Sequence, residues 1–352
     1  MKLFRKITTL FFPVLAAVIS AGCSDRAVTG EPGSDTAMLN IRLSDGTSRG
    51  DADPANDGER IQTLRIIVLD GDGFAEHNTL RDLRTNPAML VSGIDLPVKS
   101  DDLKTIIFVA NEGGKTIADP STGSEESLSD FLEAINAPAG QWVDISRLRG
   151  LTLQTRPDGC MDSPLAITAI HNYYIGTAPN YSAVFNIHRA AAKYSVSIVN
   201  SDPLNSHTLN SVSFDNIATR EYLFPEADFS NDSQDAIVAY RPAQTSGKEL
   251  TVTVGREIAP GEQIDLPPIY LPEGPVTTAE APYRLCLTLD GIRTAWATIS
   301  YAIEGSPATV PMTDLPRNTN VTIDISLNYV SFTAGVTVCP WQTSTIDIPT
   351  FN

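Results

Sequence analysis

Cysteine and histidine are the side chains best suited to nucleophilic, metal or proton-transfer chemistry, and the chain has four of each. The histidines, His77, His171, His188 and His207, form no i, i+4 pair, have no cysteine beside them and fit no nucleophile-elbow or phosphate-loop glycine pattern. They read as structural or solvated groups. Asp70-Gly71-Asp72-Gly73 alternates carboxylates around glycine as a calcium loop does, but Arg81 stands where the closing glutamate belongs. A hairpin turn with positive-φ glycines accounts for the same four residues. Acidic residues are numerous and dispersed, so spacing neither reveals nor dismisses a paired-carboxylate hydrolase site. With no nucleophile, base and orienting group in one set, the chain is expected not to be an enzyme and to use neither cofactor nor metal.

The chemistry with a readable signal is that of export. Lys2, Arg5 and Lys6 precede an apolar run from Leu10 to Ile19, too short to cross a bilayer of about 30 Å as a helix, so residues 1–22 read as a signal peptide. Ser20-Ala21-Gly22-Cys23 follows, small residues ending in the thiol that a lipoprotein pathway acylates. Cys23 is therefore the expected lipidation site; the alternative is an ordinary small-residue cleavage site. Buried acyl chains contribute about 0.8 kcal/mol per methylene, enough for a multiply acylated precursor to stay at the outer membrane. Of the remaining Cys160, Cys286 and Cys339, an odd count leaves at least one thiol free or intermolecular. Cys286 and Cys339 both lie in strand-like runs and are open to pairing.

The elements that must carry these residues are almost all strands. The 352 residues are 42% hydrophobic, with 24 Pro and 23 Gly spread along them, enough apolar material for two domains. A formal charge of −17 with no cluster of Lys and Arg argues against nucleic acid as a partner. Short alternating or β-branched runs cut by Gly, Pro, Asn and Asp predict an all-β fold of two sandwiches. Among them are 64–69 (LRIIVL), 105–110 (TIIFVA), 194–199 (YSVSIV), 250–254 (LTVTV), 285–289 (LCLTL), 321–327 (VTIDISL) and 335–338 (GVTV). One short helix is predicted at 127–135, capped by Ser127 or Ser129, with Leu128, Phe131, Leu132 and Ile135 on one face. The turn-rich Asn200-Ser201-Asp202-Pro203 suggests a boundary near Asn200, with an N-terminal domain over 50–200 and a C-terminal domain over 201–352.

Between the lipidation site and the first long apolar strand lies the informative stretch. Leu39, Ile41 and Leu43 alternate with Asn40 and Arg42, which predicts a strand with one buried face. A polar linker, 45–59, follows, and Arg49 is the one basic residue in its middle. Exposed Gly/Ser/Asp linkers are where proteases cut, because the backbone must enter the cleft extended. An Arg-specific or trypsin-like cut between Arg49 and Gly50 would release residues 23–49 as a propeptide that takes the first strand with it. Arg60 is the rival site, but it abuts the next strand. Such a cut leaves an apolar groove and unpaired edges that something must fill. The C-terminal segment 345–350 (TIDIPT) sets Ile346 and Ile348 on one face, with Phe351 after them, and is the candidate donor strand.

The chain resembles the fimbrillin family, the type V pilins. The resemblance runs through Cys23, 57–73 (DGERIQTLRIIVLDGDG), 104–116 (KTIIFVANEGGKT), 172–176 (NYYIG), 185–198 (FNIHRAAAKYSVSI), 315–327 (LPRNTNVTIDISL) and 336–341 (VTVCPW) in that order, and is thin between Asn200 and Pro311. It implies two transthyretin-like β-sandwiches, export as a lipoprotein, cleavage after Arg49, and a C-terminal segment inserted into a neighbour's groove. The partners implied are other fimbrial subunits, including copies of this chain, and a maturation protease. Cleavage would remove six basic and four acidic residues and take the charge from −17 to −19. With both a cleavable first strand and a free tail, the expected rank is a shaft or accessory subunit rather than the anchor. A non-polymerising glycan-binding lipoprotein of β-sandwich type, the membrane anchor subunit of the fimbria, and a hydrolase with a hidden site are the alternative readings.

Overall fold

Two hydrophobic patterns explain the layers: strict alternation, which buries one face of a strand, and unbroken apolar runs, which bury both. The computed structural model describes residues 35–44, 57–85, 89–135, 140–225, 248–273, 282–302, 309–312, 317–328 and 331–340. These described residues fall in one compact unit. The expected lipidation site Cys23, the processing site Arg49 and Gly50, and the donor residues Ile346, Ile348 and Phe351 lie outside the described residues.

The first half contains β1 (Thr36–Ser44), β2 (Thr63–Leu69), β3 (Ala75–Asp82), β4 (Ile94–Lys99), β5 (Asp102–Ala110), β6 (Thr116–Asp119), β7 (Ser124–Ser127), β8 (Thr152–Gln154), β9 (Ile167–Ile175), β10 (Asn180–Asn186) and β11 (His188–Arg189). A central sheet, β11-β9-β5-β2-β3, has the apolar runs of β2 and β5 at its middle. Leu64, Ile66 and Val68 point to one side, where the sheet β10-β1-β4 covers them. Ile67 and Leu69 point to the other side, towards β6, β8 and two short helices, α2 (Leu128–Glu133) and α3 (Ile145–Gly150). α1 (Met89–Ser92) is a single turn before β4. The predicted helix is thus α2. Its N-cap is Ser127, whose side chain accepts from the Asp130 amide, and Leu128 and Leu132 are its buried residues. α1 and α3 were not expected, since four and six residues are too short to show a helical period.

The second half contains β12 (Ala192–Asn200), β13 (His207–Ile217), β14 (Arg220–Tyr222), β15 (Lys248–Ile258), β16 (Gln263–Asp265), β17 (Ile269–Leu271), β18 (Arg284–Leu289), β19 (Ile292–Arg293), β20 (Ala297–Thr298), β21 (Ser300–Ala302), β22 (Thr309–Pro311), β23 (Thr319–Asn328) and β24 (Ser331–Pro340). The sheets β16-β12-β23-β24 and β15-β13-β18-β19 face each other across a core of Tyr194, Val196, Phe214, Leu285, Leu287, Ile323 and Ile325. Among the described residues β12 bonds only to later strands, in parallel with β23 and antiparallel with β16 and β17. The chain therefore crosses between cores at Ala191 and Ala192, ahead of the turn at Asn200. It also returns: β14 pairs with β8, and Leu223 and Phe224 lie in the first core. Hydrophobic pattern fixes that a strand is buried; it carries no record of which core receives it.

Candidate functional site

β1 is the middle strand of its sheet. It runs parallel to β10, from Met38 opposite Asn180 to Ser44 opposite Asn186, and antiparallel to β4, from Thr36 opposite Lys99 to Ile41 opposite Ile94. Both of its edges are thus satisfied by strands from elsewhere in the chain. Ala37, Leu39 and Ile41 point inward at 3%, 0% and 1% exposure, and Leu43 packs at the margin of the same core. They fill a groove walled by Leu96 and Val98 of β4 and Phe185 of β10, and floored by Leu64, Ile66 and Phe108 of the central sheet. At about 1.5–3 kcal/mol for each large apolar side chain, Leu39 and Ile41 alone hold the strand by several kcal/mol. On the outward face Asn40 donates to Asp95 (2.7 Å) and Arg42 to Ser182 (2.9 Å). Gly93, at φ +93°, lies under Asn40, and a Cβ there would come within 2.4 Å of the Asn40 amide.

Beyond the linker the chain is fastened at once. Glu59, almost wholly buried, pairs with Lys193 of β12 (3.1 Å) and accepts from the Tyr270 hydroxyl (2.8 Å). The Arg60 carbonyl accepts from the Asn111 amide group (2.9 Å), and the Gln62 amide donates to the Asn111 side-chain oxygen (2.8 Å). The Arg60 side chain is exposed and bridges Asp57 (3.3 Å), yet its peptide is pinned on both sides, so a protease would have to extract Glu59 to cut there.

A buried charge cluster joins the two cores. Arg317 donates through Nε to Glu273 (2.9 Å) and through a terminal nitrogen to the Tyr222 carbonyl (2.8 Å), and it also bonds Glu221. The Arg317 and Glu221 side chains have no exposed surface. Burial, first, and the charge of Glu273 push the Glu221 carboxyl up from its ordinary value against the pull of Arg317. The neighbouring Asn318 (φ +56°) donates its amide to Ala191 at the crossover, and its side chain accepts from Arg189 (3.2 Å). The Arg317-Asn318 pair was visible in the sequence; its partners, 44 and 96 residues away, were not.

The side chains with chemical potential stay apart. His171 packs on Phe108 and Phe185 and meets the Asn186 carbonyl (2.7 Å). Burial lowers its pKa, and burial followed by the nearby Arg317 lowers that of His188 to about 4. His207 pairs with Asp290 (2.9 Å), and His77 meets the Pro97 carbonyl. Asp70 to Gly73 form the β2–β3 turn: the Asp70 side chain accepts from the amides of Asp72 (3.1 Å) and Phe74 (2.9 Å), and Gly73 takes φ +86°. Cys286 is buried with a free thiol, beside Arg293 Nε (3.2 Å). Cys160 is also free, and burial raises its thiol to about 11, out of the reactive range.

No protein-family model and no curated protein matches the chain. Solved structures do. The tip fimbrial protein Mfa3 of Porphyromonas gingivalis, with a C-terminal truncation, is similar at 15% identity over 87% of this chain and 100% of that one, with a TM-score of 0.52. A protein of Parabacteroides distasonis ascribed to cell adhesion is similar at 12% identity over 88% and 98%, with a TM-score of 0.55. The fimbrilin FimA of P. gingivalis is similar at 14% identity over 88% and 98%, with a TM-score of 0.50. At such identities the likeness establishes a shared all-β sandwich fold.

Proposed function

We propose that this chain belongs with the fimbrillins and is a structural subunit of a surface fimbria, made as a lipoprotein precursor and polymerised by strand exchange. The observation that carries the reading is the setting of β1. It is the first described strand, it sits between two strands that do not need it for connectivity, and it fills an apolar groove through Leu39 and Ile41. The next strand is joined to it only through the linker that contains Arg49 and Gly50. The shared fold with fimbrial and adhesion proteins over almost the whole of both chains supports the same reading.

In this mechanism Cys23 carries the acyl chains that hold the precursor at the outer membrane. An Arg-specific protease then cuts after Arg49, and β1 leaves with the propeptide. The tail of a neighbouring subunit, led by Ile346, Ile348 and Phe351, takes the vacated groove, with main-chain bonds to β4 and β10 supplying affinity and alternate side chains setting register. The pinned Arg60 peptide favours Arg49 as the cut.

N-terminal sequencing of the surface-exposed protein tests the first step, and a start at Gly50 is expected. A lipid-blocked Cys23 on the assembled protein would instead mark an anchor subunit. For the second step, a chain lacking its last eight residues should be processed and remain unpolymerised; full-length filaments from that variant would overturn strand exchange.

A further inference from the structure

Away from the β1 groove, α2 and α3 enclose a cleft of about 400 Å³ lined by Phe131, Ile135, Trp142, Val143 and Arg147, with Glu126 at its rim. Trp142 is 58% exposed, yet it is held in place. The Val143 amide donates to the Gly73 carbonyl (3.0 Å), and the Ala75 amide donates to the Gln141 carbonyl (2.9 Å). The indole edge rests on Gly73, where a Cβ would come 3.2 Å from Nε1. An aromatic ring this exposed and this well fixed contributes little to the core and offers a rigid apolar wall.

The polar groups around it are equally set. Arg147 lines the cleft, stacks on Phe131 at 5.2 Å and donates Nε to the buried Asp119 (2.6 Å), and none of the described residues bonds its two terminal nitrogens. Asp144 caps α3 with one carboxylate oxygen, bonded to the amides of Ser146 and Arg147, and its other oxygen has no partner among the described residues. The cleft therefore presents a flat apolar wall, a fixed donor pair and carboxylate acceptors together.

We propose that this cleft binds a pyranose sugar. A pyranose has a C–H face to lie on the indole and a rim of hydroxyls that both donate and accept. A proline-rich segment could lie on the ring and accept from Arg147 but has few N–H donors for the carboxylates of Glu126 and Asp144, and an acyl chain would use the ring alone and leave every polar group unpaired. The volume, near the lower end of the roughly 300–1,000 Å³ of small-ligand sites, suits one or two sugar rings.

The full chain, titrated with methyl glycosides of galactose, glucose, mannose, fucose and N-acetylglucosamine and with their common disaccharides, tests this by saturation-transfer NMR and tryptophan fluorescence. At least one sugar is expected to bind saturably. Trp142→Ala and Arg147→Gln should each weaken it by about tenfold or more, with circular dichroism unchanged and filament formation normal, and Trp296→Ala, at a ring that stacks with Arg284 and Arg293 in the second half of the chain, should leave binding unchanged. No saturable binding by any sugar, binding that survives both substitutions, or selective capture of a proline-rich peptide would overturn the assignment. Because polymerisation does not use the cleft, failure here is distinguishable from failure of strand exchange.

Discussion

Under the proposed processing, Leu39 and Ile41 stabilise the precursor and are absent from the processed chain. Ile41→Ala should destabilise the uncut precursor by about 2–5 kcal/mol, the usual cost of a large-to-small change in a sealed core. Urea unfolding of precursor and processed chain side by side would show this, with the midpoint of the processed chain unmoved. Asp119 gives a pH counterpart. Burial would raise its carboxyl, but bonds from Ser121 and Arg147 hold it down at about 2 against an ordinary 3.8. Its contribution is therefore complete above pH 3.8 and lost as pH falls towards 2, so Asp119→Asn should flatten that part of an acid-denaturation curve. At this scale the sequence was partly readable. The alternation of Leu39, Ile41 and Leu43 announces a buried face because period two is a geometric property of strands. Arg317 announces no partner, because a buried arginine is defined by the carboxylates that surround it, and those come from distant parts of the chain.

Among the elements, β1 makes the sharpest prediction. A synthetic peptide of residues 343–352 should bind the processed chain and fail to bind the precursor, whose groove is occupied; isothermal titration calorimetry of both forms would check it. Equal binding to the two forms would mean that the peptide sits elsewhere. The strands themselves were legible: the runs read at 64–69, 105–110, 194–199, 250–254, 285–289 and 321–327 all lie within β2, β5, β12, β15, β18 and β23. Their partners were not. β1 lies beside β10 through residues more than a hundred positions apart, and a parallel neighbour leaves no local mark such as a tight turn. Likewise β14, three residues long, joins the first core from within the second half of the chain.

For the whole molecule, the charge cluster at Arg317 decides how the two halves respond together. Arg317→Met would strand Glu221 and Glu273 in the interior and should cost about 3–5 kcal/mol, measured as a lower urea midpoint for global unfolding. The sign of the pH effect follows from Glu221. Its folded pKa is raised, chiefly by burial, so above the ordinary carboxylate range the folded chain keeps a proton that the unfolded chain has released. Stability should then fall as pH rises from that range through neutrality, and Glu221→Gln should remove the slope. β1, finally, is walled on both sides, by β4 and by β10. A berth with two walls admits one occupant, and under the proposed strand exchange each chain offers one tail. Molecules joined in that way would have a valence of two and unlike ends, and would build an unbranched thread with a direction, lengthened only where a berth stands open.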